Sequence, residues 1–231
     1  MEILAEFFSS IWVWAVHFVD LLLHLDKYLD QVILQYGTWT YLILFLIVFC
    51  ETGLVVTPIL PGDSLLFAAG TFAARDSLDV SYLFVLLSVA AVLGDAVNYA
   101  VGKYMGPKVL RPGSKIFRKE YLDRTQAFYE RYGGKTIIIA RFVPIVRTFA
   151  PFLAGVGKMS YARFFGFNVS GALLWISICL YGGFFFGNLE IVKKNFTLVI
   201  LGVIFVSVLP ALFEVMRSRR GSSRGTPIRS L

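Results

Sequence analysis

The sequence predicts an all-α polytopic membrane protein, and three observations carry that prediction. Hydrophobic residues make up 57% of the 231 residues and charged ones only 16%, which excludes a disordered chain and argues against a soluble domain. Charge-free windows long enough to cross a bilayer recur along the chain. Two further apolar stretches are broken by prolines and charges, Glu-Thr-Gly-Leu-Val-Val-Thr-Pro-Ile-Leu-Pro-Gly-Asp at 51–63 and Arg-Phe-Val-Pro-Ile-Val-Arg-Thr-Phe-Ala-Pro at 141–151. An isolated arginine at the centre of a spanning helix costs about 2.5–3.5 kcal/mol on insertion scales. Two of them beside helix-breaking prolines fit a lined cavity better than a plain anchor.

The elements follow in order. Residues 1–25 carry His17, Asp20 and His24 on one helical face, which reads as an interfacial or packing face ahead of a metal site. Whether this segment spans is left open. No Lys or Arg precedes Lys27 and no Ala-x-Ala-like site is present, so a cleaved signal peptide is not expected. Thr38–Cys50 is apolar but short, since a helix over it reaches only about 20 Å against a hydrocarbon core of about 30 Å. The apolar run then passes Glu51, Pro58, Pro61 and Asp63 to end near Ala74, so a re-entrant hairpin is expected over 38–74.

Val80–Val101 can span, interrupted only by Asp95. The loop 102–135 holds nine Lys/Arg against three acids, and Ser114–Gly133 mixes apolar and charged residues as an amphipathic helix on an anionic leaflet would. Region 136–157 is broken at Arg141, Pro144, Arg147 and Pro151, giving a second hairpin. Phe164–Leu189 and Asn195–Phe213 are charge-free and can both span. Residues 1–216 thus form one integral membrane domain, followed by a basic tail, 217–231, with five arginines and no acid.

Charge then orients the spans. With loop 102–135 and the tail both cytoplasmic by the positive-inside rule, the chain between them crosses an even number of times. Spans 164–189 and 195–213 supply two crossings, so 136–157 enters and leaves on the cytoplasmic side. Span 80–101 then runs inward, and hairpin 38–74 enters from the outer face. The halves read as an inverted repeat of re-entrant helical hairpin plus transmembrane helix, with flanking helices, a transporter architecture. Gly102-x-x-x-Gly106 and Gly183-x-x-x-Gly187 close the two spans, a spacing that allows close helix contact. The net charge of +7 is explained by membrane orientation more simply than by nucleic acid, which is not expected as a partner. Cys50 and Cys179 sit alone in apolar runs as packed thiols, and no metal or cofactor is expected.

Phe49-Cys50-Glu51-Thr52-Gly53, Leu60-Pro61-Gly62-Asp63-Ser64, Gly94-Asp95-Ala96-Val97-Asn98-Tyr99 and the whole run Arg141 to Pro151 together resemble the DedA family of bacterial inner-membrane proteins, within the wider SNARE-associated Golgi protein group. The resemblance covers about residues 35–215, with no departure at the charged motif positions. It implies a multi-pass plasma-membrane transporter, dependent on the proton motive force, that flips undecaprenyl phosphate back to the cytoplasmic face. It also implies that Glu51, Asp63, Arg141 and Arg147 are needed for function.

The residue chemistry agrees with that expectation. Arginine's planar fork suits a lipid phosphate better than an ammonium does. Pro144 between Arg141 and Arg147 lets both point to one pocket, and Thr148 is a further candidate donor. Glu51, lodged between apolar runs, is the candidate for proton coupling, alternating between an arginine-paired charged state and a protonated one. Asp63 shares that candidacy or caps the next helix at a Pro-Gly-Asp turn. Asp95 and Asn98 extend the polar path or tie helices together. The arginines could instead pair with Glu51 and Asp63 for structure alone. An enzyme is not expected: both histidines lie near the N-terminus, away from the arginines. The rival readings are a proton-coupled exporter of small cations or drugs, and a lipid scramblase or scaffold; a homo-oligomer is left open.

Overall fold

A computed structural model describes residues 25–54, 62–109 and 133–187, with parts of 189–205. All regular structure among them is helical. Helix α1 (Leu25–Tyr36) ends at Gly37, whose φ of +50° supplies the left-handed residue that closes many helices. Next come α2 (Trp39–Gly53) and α3 (Gly62–Ala73). Helix α4 (Val80–Val109) is capped by Asp79, whose carboxylate accepts the Tyr82 N–H at 2.7 Å.

The second half begins with a short α5 (Lys135–Ala140), is interrupted at 141–143, and resumes as α6 (Pro144–Val156). Val143 is extended, as the residue before a proline prefers, and Pro144 opens α6, where its missing N–H costs nothing. Helix α7 (Tyr161–Ile176) runs through a π turn, Ser177–Tyr181, into α8 (Gly182–Phe186).

Two stretches, Val80–Met105 and Tyr161–Phe186, each 26 residues, are long and apolar enough to cross a membrane, at about 39 Å of helix apiece. Each leaves large apolar side chains facing outward, among them Val85, Leu93, Val97, Leu174, Ile178 and Phe185. Inside, Leu44, Val48, Leu66, Leu83, Leu87 and Leu180 close a core at 1% exposure or less.

The packing has an exchange pattern. Helix α4 packs on α2, from its own half of the chain, and on α6, from the other half. The α7–α8 run packs correspondingly on α5 and on α3. Both cross-half seams are glycine seams. A Cβ at Gly102 would strike the Phe152 carbonyl and one at Gly155 the Tyr99 carbonyl; Gly70 and Gly183 meet the carbonyls of Leu180 and Phe67 in the same way. Backbone cannot retreat as a side-chain tip can, so Gly183→Val should lower stability by about 1–3 kcal/mol. Gly166→Ala, which meets nothing within 4 Å, should be neutral or slightly stabilising. Thermal unfolding in detergent compares them.

Some sequence expectations need correcting. Pro151 does not break region 136–157; it lies inside α6. Seven residues beyond Pro144, it is carried by helix already packed against α4, the setting in which a membrane helix tolerates proline. Arg147 likewise sits within α6, not at a break. Helix α4 runs past the expected end at 101 to Val109, so the first part of what was expected to be loop is helical. Pro58 and Pro61, the face of His17, Asp20 and His24, most of loop 102–135, most of span 195–213 and the tail 217–231 lie outside the described residues. Cys50 and Cys179 are free and half-buried.

Candidate functional site

The charged residues of both broken segments end up together, and they do so by pairing. Arg147, in the first turns of α6, extends its guanidinium to the C-terminal end of α2 and the first turn of α3. Its Nη2 donates to Glu51 Oε1 and its Nη1 to Asp63 Oδ1 at 2.7 Å. Glu51 is 1% exposed. Its Oε1 also accepts the Gly62 N–H at 3.2 Å, while its Oε2 is buried with no partner among the described residues. A Cβ at Gly62 would meet the Glu51 carboxylate and force it to shift from its present place.

Arg141 goes elsewhere. Standing at the break between α5 and α6, it donates through Nη2 to Asp95 Oδ2 on α4 and to Asn168 Oδ1 on α7, the latter at 2.7 Å. Asn168 in turn donates to the Val92 carbonyl at 3.0 Å, which fixes its amide. Trp175, on α7, separates the two ion-pair sets. Its ring faces both guanidiniums, 5.2 Å from Cζ of Arg147 and 5.7 Å from Cζ of Arg141. Its Nε1–H donates to Asp63 Oδ1 at 2.8 Å.

Asn98 is a tie. Its Nδ2 donates to the carbonyls of Thr52 on α2, at 3.1 Å, and Thr148 on α6, at 2.7 Å. Thr148 itself is buried. Between these groups lies a cavity lined by Thr52, Asp95, Ile137, Arg141, Arg147, Thr148, Pro151 and Trp175. It has room for about one water. Asp95 and Trp175 each lie within one turn of the midpoint of the two long apolar stretches, so the cluster sits at mid-depth. Among the described residues, no group of three or more His, Cys, Asp or Glu is placed to hold a metal ion.

The structure thus brings Arg147, Glu51 and Asp63 into direct contact and Arg141 onto Asp95. Both arginines line the one cavity, the sequence reading having expected them to point to one pocket, but each is paired with its own carboxylate partners. Asp63 lies inside the first turn of α3 with its carboxylate on Arg147 and Trp175, so its side chain serves the cluster and not a helix cap. Sequence reasoning missed Asn168 and Trp175. Their signal was available: seven residues apart, they share one helical face of an otherwise plain span.

The Arg141–Asp95 pair makes a separate prediction. Asp95→Ala leaves a guanidinium buried with one amide partner and should destabilise the protein by about 3–5 kcal/mol. The double variant Asp95→Ala/Arg141→Ala should recover much of that loss. Unfolding midpoints of the two singles and the double measure the coupling.

Helical structure throughout the described residues, two helices long and apolar enough to cross a membrane, and a charged cluster buried at their mid-depth are the build of a polytopic membrane protein. Comparison with known proteins gives the family. The VTT domain family matches residues 60–185. Over 209 residues the chain is 55% identical to "Protein DedA" of Escherichia coli K12, covering 89% of this chain and 95% of that protein. An uncharacterized membrane protein of Mycobacterium leprae is 42% identical over 179 residues, 77% of this chain and 80% of that one. "Inner membrane protein YqjA" of Escherichia coli K12 is 34% identical over 155 residues, 67% and 70% of the two chains. No solved structure gives a significant match. The chain belongs to the VTT-domain, or DedA, family of membrane proteins.

Proposed function

We propose that this protein is a proton-coupled transporter of a lipid phosphate, undecaprenyl phosphate or a similar polyprenyl phosphate, in the bacterial inner membrane. The observation that carries this reading is Arg147 held between Glu51 and Asp63 at mid-depth. A buried guanidinium is expensive as an anchor and well matched to phosphate. The cavity beside it admits about one water, so a phosphate gains Arg147 only by displacing a carboxylate. One guanidinium then faces both the phosphate and Glu51. At 1% exposure Glu51 has no water to solvate its charge, and protonation relieves the excess. Phosphate and proton therefore load together. Departure of the phosphate lets Arg147 recapture Glu51 and expel the proton.

The architecture supporting this is a pair of re-entrant hairpins, 38–74 from the outer face and 136–157 from the cytoplasmic face, with the C-terminus cytoplasmic. The exchange of packing partners between the halves supports the inverted repeat, and the basic loop and tail support the orientation. The names of the Escherichia coli and Mycobacterium relatives support the membrane location. The test is reconstitution in liposomes with labelled undecaprenyl phosphate, with and without a proton gradient. Gradient-dependent flipping is expected. Equal flipping in both conditions would make the protein a scramblase, and cation movement without lipid movement would make it an exporter.

A further inference from the structure

Two donors from different helices of the second half, α6 and α7, converge on one oxygen from the first half. Trp175 Nε1 donates to Asp63 Oδ1 at 2.8 Å, and Arg147 Nη1 donates to the same atom at 2.7 Å. The indole is 1% exposed, and a buried N–H must keep an acceptor. The π turn that follows Trp175 packs on α3, which carries Asp63. Donor and acceptor are thus held from both sides.

Asp63 is the more accessible of Arg147's two carboxylate partners: its side chain is 18% exposed against 1% for Glu51. Glu51 is also held by the Gly62 N–H. When Asp63 swings out, the vacated point is met by one cationic and one neutral donor, the arrangement that an anionic oxygen requires. A cation entering instead would leave both donors without an acceptor.

Resting on the transport reading above, we infer that Trp175 is a phosphate-binding residue. Its indole N–H and Arg147 Nη1 form a two-donor notch for a single anionic oxygen, filled by Asp63 Oδ1 and taken over by a phosphate oxygen of the lipid. The ring faces both guanidiniums, while the N–H selects for a charged acceptor.

The test must remove the internal competitor, because in wild type Trp175→Phe deletes the N–H from both rival oxygens and should change affinity little. Binding of radiolabelled undecaprenyl phosphate to detergent-solubilised protein is measured for Asp63→Ala and for Asp63→Ala/Trp175→Phe. Phenylalanine keeps a ring against the guanidiniums and loses only the donor, so the double variant should bind about tenfold more weakly than the single. Equal affinity of the two overturns the inference. Asp63→Leu, which keeps the size and carries no acceptor, serves in place of alanine if the latter does not fold. In wild type, the indole ¹⁵N–¹H resonance that is absent from Trp175→Phe should shift when undecaprenyl phosphate is added; a resonance that stays put while lipid binds also overturns it. Wild type that binds no undecaprenyl phosphate at all overturns the transport reading together with this one.

Discussion

Arg147→Ala should reduce undecaprenyl phosphate transport at least a hundredfold and should also weaken the fold. The two effects have one cause. Removing the guanidinium leaves Glu51 and Asp63 facing each other with no cation between them, Glu51 being almost wholly buried. Breaking a buried pair by deleting one partner costs about 3–5 kcal/mol. Arg147→Lys separates the roles: an ammonium restores a charge but cannot bridge Glu51 Oε1 and Asp63 Oδ1 as the fork does. The lysine variant should regain most of the lost thermal stability and little of the transport. Phosphate-lipid affinity unchanged in both variants would remove Arg147 from the binding site.

Glu51→Gln should have the second-largest effect, on coupling and not on folding. Glutamine keeps an Oε1 that can accept from Arg147 Nη2 and from the Gly62 N–H. It cannot take up and release a proton. The variant should fold, bind phosphate lipid, and lose the response of flipping to an imposed pH gradient. Normal gradient-driven transport by Glu51→Gln would eliminate Glu51 as the proton carrier. Asp63→Asn serves as the comparison, since Asp63 is the more exposed of the two carboxylates on Arg147.

The cluster was legible in the sequence where charge broke an apolar run, and illegible where it did not. Opposite charges in the two broken segments pointed to each other, and Arg147 does meet Glu51 and Asp63. Arg141 was harder, because from the break at 141–143 it shares the cavity with Arg147 but pairs with Asp95 on α4 and Asn168 on α7. Nothing local to residues 141–151 names Asp95, forty-six residues upstream, as its partner. Trp175 and Asn168 were hidden because their span carries no charge, and an indole or an amide in an apolar helix reads as filler until a partner is seen. Pro151 shows the opposite error: proline signals a break by its missing donor, but α6 runs through it. The glycine pairs were visible as motifs, whereas the exchange of arms between halves required the packing itself.

Proton accounting during binding tests the central claim most directly. Titrating purified protein with undecaprenyl phosphate in two buffers of different ionisation enthalpy gives the protons exchanged per lipid bound. The account predicts net proton uptake on binding by wild type, smaller in Glu51→Gln. Binding with no proton uptake, or equal uptake by wild type and Glu51→Gln, would contradict it.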